Sequence, residues 1–227
     1  MKIKLNKILL LLANVLFAAS LTGYSQINDA GLWLSLGAEK KIKQALSVNY
    51  TAEFRLNENF TELGTIYNDF GLEYRFNKNL SIGAAYRFIA KKQPENYYSF
   101  RHRFYIDLNY KRTVGIVRLS GRLRLQNHYE DIFSSEQGWY PETLLRGRVG
   151  AKFNIPYPVK PYATVEVMTP LSGTELFTLE KIRYRAGLEY ELNRMHSFDL
   201  FYMFQHDYGS RIPRNDFVVG MGYYFTF

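Results

Sequence analysis

Apolar and polar side chains alternate along most of this chain with a period of two. Leu46, Val48, Tyr50, Ala52, Phe54 and Leu56 interleave with Ser47, Asn49, Thr51, Glu53, Arg55 and Asn57. In an extended strand that pattern makes one face apolar and the other polar. The alternation returns at Phe70–Phe76, Leu80–Phe88, Phe104–Tyr110, Val117–Leu125, Val149–Phe153, Val165–Val167, Ile182–Tyr190 and Phe198–Phe204. The final segment sets Phe217, Val219, Met221, Tyr223, Phe225 and Phe227 against Val218, Gly220, Gly222, Tyr224 and Thr226. No segment carries the 3.6-residue period of an amphipathic helix.

Connections between these strands alternate in character. Glu39–Gln44, Asn77–Asn79, Lys111–Thr113, Ile155–Lys160 and Asn193–His196 are short. Longer ones, Asn57–Glu62, Lys91–Asn96, Glu130–Pro141, Thr169–Thr178 and Tyr208–Asn215, collect Trp, Pro, Gly and charge. Short turns on one rim and long loops on the other predict an all-β fold, an antiparallel transmembrane up-and-down β-barrel of about 10–12 strands. Its C-terminus lies with the short, periplasmic turns. Ten strands fall between Ala45 and Phe227, and Ala30–Ala38 is an eleventh candidate, with Leu32, Leu34 and Leu36 opposing Trp33, Ser35 and Gly37. Single-chain bacterial barrels have even strand numbers, which makes this first strand the one to test.

A soluble β-barrel binding protein also needs one apolar face per strand. The distribution of rings separates the two readings. Tyr74, Phe76, Tyr110, Phe153, Tyr190 and Tyr223–Phe227 gather near the short turns, and Phe54, Phe88, Tyr98, Phe100, Tyr129, Phe204 and Phe217 near the long loops, with aliphatic residues between. Two aromatic girdles about an aliphatic band match a bilayer with two interfaces.

Composition adds compartment. Lys2, Lys4 and Lys7 precede an apolar run, Ile8–Ala19, then small residues through Gly23 and Ser25. This reads as a cleaved signal peptide over residues 1–25, leaving 26–227 as the barrel. Loss of the three lysines lowers the net charge from +8 to about +5. The absence of cysteine excludes disulfides, thiolate catalysis and sulfur metal ligands.

The polar face is rich in arginine. Arg55, Arg75, Arg101, Arg103, Arg122, Arg124, Arg146, Arg148, Arg183 and Arg185 share it with Glu53, Glu73, Asp107, Glu166 and Glu189, so they are the expected lumen lining. Paired charges of this kind fill a small barrel, and surplus arginine suits a narrow anion-favouring channel. A structural or narrow-channel barrel is therefore the first functional expectation, with small anions as candidate ligands. The expected partners are outer-membrane lipid, lipopolysaccharide and, through the C-terminal strand, the barrel-assembly machinery. A lipid-modifying enzyme at the extracellular rim is the alternative. His102 and Asn127 share outward parity there, but Ser99 has the opposite parity, so no catalytic residues are assigned. No cofactor or metal is expected. Nucleic acid is not expected either, because rings and arginines fall on opposite faces.

Several strand patterns resemble one family. Trp33 before Glu39-Lys40-Lys41, the strand Arg101-His102-Arg103-Phe104, Arg122-Leu123-Arg124, Glu166 after Pro161-Tyr162, and Arg183-Tyr184-Arg185 with Gly187 are similar to the domain of unknown function 2490. The resemblance spans essentially the whole chain after the leader. It implies an outer-membrane barrel of the kind common in Bacteroidetes-type bacteria and carries over no established activity.

Overall fold

Eleven strands close into a single barrel in the computed structural model, which describes residues 27–130, 141–173, 176–209 and 213–227. The expected leader, and Asp131, Trp139 and Tyr140 of the longest loop, lie outside the described residues. The strands are β1 (Ile27–Lys41), β2 (Leu46–Asn57), β3 (Glu62–Arg75), β4 (Leu80–Lys92), β5 (Tyr98–Val114), β6 (Val117–Tyr129), β7 (Glu142–Phe153), β8 (Val159–Pro170), β9 (Lys181–Glu191), β10 (His196–Asp207) and β11 (Arg214–Thr226). Each pairs antiparallel with the next in sequence.

Eleven strands fall within the expected 10–12, and the closing pair accounts for the odd number. In an up-and-down barrel with an odd number of strands, the first and last run the same way, so closure must be parallel. β1 and β11 pair in parallel from Ile27 opposite Arg214 to Glu39 opposite Thr226. The candidate strand at Ala30–Ala38 is therefore real and longer than its apolar pattern, and it begins at the long-loop rim. At the other rim, the Phe227 backbone N–H donates to the Glu39 carbonyl at 2.8 Å, tying the last residue to β1.

One expected turn also moves. The expected turn at Lys111–Thr113 is strand, and the chain reverses instead at Gly115–Ile116, where Gly115 has φ 58°. β5 and β6 extend past the apolar belt, so their polar residues are paired strand in water. β3 begins at Glu62, where the expected Asn57–Glu62 connection ends, and its pairing with β2 carries a register shift between Arg55 and Leu56.

The alternation sorts side chains by face. Leu72, Ile106, Leu108, Leu123, Leu125, Val149, Leu188, Leu200 and Met221 are exposed on the outer wall, and Phe76, Phe100, Tyr110 and Tyr190 lie towards its two edges. Asp69, Arg124, Arg146 and Glu166 are buried within. This inversion of the soluble pattern is stable only where the outer solvent is hydrocarbon, so the barrel spans a membrane. Every strand has at least the 9–11 residues a tilted transmembrane strand needs.

Candidate functional site: the barrel lumen

Eight strands make a barrel just wide enough for side chains to fill, whereas sixteen leave a water channel. Eleven is intermediate, so the width of the passage depends on side-chain size. The inward positions here carry mostly large residues. Arg55, Arg101, Arg103, Arg122, Arg124, Arg146, Arg148, Arg183, Arg185, Glu53, Asp107, Glu166 and Glu189 share the inner face. Arg75 and Glu73 have the same parity near the short-turn end of β3, half-buried and without an ion pair among the described residues.

At mid-height the charges are paired across neighbouring and next-but-one strands. Glu166 of β8 is 3% exposed and serves three arginines. Arg146 Nη2 donates to its Oε2 at 2.8 Å, Arg183 Nη1 lies 3.4 Å from the same oxygen, and Arg122 pairs with Oε1. Asp107 accepts both arms of Arg124 at 2.6 and 2.7 Å. Asp69 pairs with Arg87 and accepts the Tyr105 hydroxyl at 2.7 Å. Each carboxylate is thus saturated by donors, as burial of charge demands.

Aromatic and aliphatic groups complete the filling. Trp33, Phe201, Met203 and Val218 form a buried cluster within the lumen, joined by Tyr162. Met203 is 0% and Val218 2% exposed. The Arg55 guanidinium sits 3.4 Å from the Trp33 ring centroid, and that of Arg124 3.6 Å from Tyr105. Small residues on β11 make room: a Cβ at Gly220 would stand 1.9 Å from the Phe201 ring. These inward apolar groups were not singled out in the sequence as lumen residues, although Tyr67 shares parity with Asp69, and Phe201 with Asp199.

Two cavities of about 460 Å³ each flank this cluster. The one towards the long loops is lined by Arg55, Arg101, Arg103, Arg146 and Arg183, with Tyr67 and Trp33 at its wall. The other, towards the short turns, is bordered by Arg148, Arg185, Lys152, Glu189 and Asp199. There Lys152 Nζ lies 2.5 Å from Glu189, and the Tyr162 hydroxyl donates to Asp199 at 2.8 Å.

A family model described as "Protein of unknown function (DUF2490)" matches residues 30–216. The chain belongs to that family. No curated protein matches this DUF2490 barrel. Among solved structures it is similar to an anion-selective porin from Comamonas acidovorans, at 12% identity and a TM-score of 0.39, covering 79% of this chain and 53% of the porin. It therefore spans about half the length of that relative. It is also similar to the beta domain of the Bordetella autotransporter BrkA, at 12% identity and a TM-score of 0.40, covering 76% of this chain and 78% of the other.

Other sequence candidates separate in space. Ser99 is buried inside the wall, where its hydroxyl accepts from Gln93 Nε2 at 2.7 Å. The His102 ring lies on the other side of β5, with Nδ1 2.8 Å from the Tyr86 hydroxyl, so the two do not meet. Asn127, also outward, accepts from Thr143 Oγ1 at 2.9 Å. His128 faces inward, its Nε2 3.5 Å from Glu130. Among the described residues, no group of three or more His, Asp or Glu side chains is placed to hold a metal ion.

Proposed function

We propose that this DUF2490 protein is an outer-membrane barrel with a closed lumen, acting as a structural wall element rather than as an open pore. The observation that carries the reading is the inward cluster of Trp33, Phe201, Met203 and Val218 on β1, β10 and β11, buried to 6% exposure or less and joined by Tyr162 from β8. An apolar constriction is a barrier to ions, and the paired Glu166, Asp107 and Asp69 groups fill further inner-face positions on β8, β5 and β3. Long loops would face outside the cell and short turns the periplasm, as in barrels of this type. The reading assigns no catalytic role. Solute flux into liposomes tests it. Vesicles containing the purified protein should admit a small sugar no faster than empty vesicles, and rapid entry would overturn the closed-lumen reading.

A further inference from the structure

The lumen has a cation left over, and its position is specific. Arg103 of β5 makes no hydrogen bond or ion pair with another described residue, and its Nε is shielded from solvent without a partner. Its cross-strand neighbours offer no help: Arg87 stands opposite it on β4 and His128 on β6. Like charges directly opposite one another in a sheet are destabilising. Arg87 has a counter-charge in Asp69, whereas Arg103 has none.

The same imbalance continues around the wall of the cavity nearer the long loops. Arg146, Arg183 and Arg122 share the single negative charge of Glu166, and Gln126 and Gln205 accept further hydrogen bonds from Arg146 and Arg183. Of the acids lining this cavity, Glu130 is engaged by Arg101 and His128, Asp29 and Asp216 by Arg214, and Glu180 and Asp207 by Lys181, while Glu142, opposite His128 at the mouth, makes no ion pair among the described residues. A guanidinium nitrogen shielded from water without a partner is unfavourable unless an anion meets it. The cavity beside Arg103 is about 460 Å³, ample for a tetrahedral oxyanion and its hydration.

We infer that this cavity is a binding site for a compact phosphate-class oxyanion, held by Arg103 with Arg146 and Arg183 and entering from the long-loop rim. A multiply charged tetrahedral group fits better than a monocarboxylate. Arg103 of β5, Arg146 of β7 and Arg183 of β9 line the same cavity; Arg146 and Arg183 share the one Glu166 carboxylate with Arg122, and Arg103 has no ion pair among the described residues. The site is a blind pocket above the closed layer, so binding does not require transport.

Thermal unfolding of the full-length barrel in detergent, with inorganic phosphate against chloride at matched ionic strength, tests this directly. A ligand that binds only the folded state raises the unfolding midpoint with its concentration. Phosphate should raise the midpoint in a saturable manner, and Arg103→Gln should weaken the apparent affinity at least tenfold. Lys111→Gln removes an equal charge at the opposite rim and should leave binding unchanged. Should Arg103→Gln fail to fold, Arg103→Lys, which keeps the charge and loses the fork, supplies the comparison, with a smaller loss expected. No difference between phosphate and chloride, or an equal loss in Lys111→Gln, would overturn the site. The outcome is independent of the closed lumen: flux with phosphate binding defeats only the closure, and no flux without binding defeats only the oxyanion site.

Discussion

Glu166 shows how tightly single residues are coupled in this interior. One carboxylate holds three guanidinium groups from β6, β7 and β9, and removing it leaves their charges buried together. Breaking a buried ionic group by deleting one partner typically costs about 3–5 kcal/mol, so Glu166→Gln should lose stability of that order in urea unfolding from micelles. Gly220 acts by shape rather than charge. Gly220→Ala drives a methyl into the Phe201 ring and should cost about 1–3 kcal/mol as overpacking, whereas on a Phe201→Ala background the same change should cost close to nothing. Glu130, beyond the end of β6, adds a pH dependence. The His128 hydrogen bond and the Arg101 guanidinium hold its carboxyl below the ordinary value of 4.5 despite partial burial. Its contribution is complete above that ordinary value and is lost as pH falls through the depressed one. The stability difference between wild type and Glu130→Gln should accordingly be constant near neutrality and shrink as pH falls below 4.5.

At the scale of the strand, alternation carries the architecture. It is legible in sequence wherever both faces keep their character, as in Leu46–Asn57, and there the expected and observed strands agree within a residue or so. It fails where a strand leaves the bilayer, as at Lys111–Thr113, because polar residues paired in water look like a turn. It was also incomplete for the lumen. Arginines announce an inward face by charge, but Trp33, Phe201, Met203 and Val218 are inward residues that look lipid-facing by composition. Their signal is parity: Trp33 opposes Leu32, Leu34 and Leu36, Val218 opposes the Phe217–Phe227 stripe, and Phe201 and Met203 share the parity of Asp199. The outward assignment is testable at Leu123, central in β6 and 50% exposed. Leu123→Arg should destabilise by about 2–4 kcal/mol, as a charge at the bilayer midplane does, while Thr113→Arg, beyond the belt, should be nearly neutral.

For the whole molecule, the odd strand count has the largest consequence. Parallel closure places the start of β1 and the start of β11 on the long-loop rim, and the chain's own last residue on the other. Because the sequence contains no cysteine, a paired substitution reports the seam cleanly. Leu34→Cys with Met221→Cys, partners across β1 and β11, should cross-link under oxidation, and Lys41→Cys with Met221→Cys should not. Closure of the sheet turns the inner face into a lumen, and the bulk of the inward side chains decides whether that lumen conducts. Single-channel recording in planar bilayers measures that outcome most directly. The wild-type barrel should give no reproducible conductance steps, while Phe201→Ala combined with Trp33→Ala should open an anion-preferring path along the arginine face. Steady anion-selective steps from the wild-type protein would contradict the closed lumen.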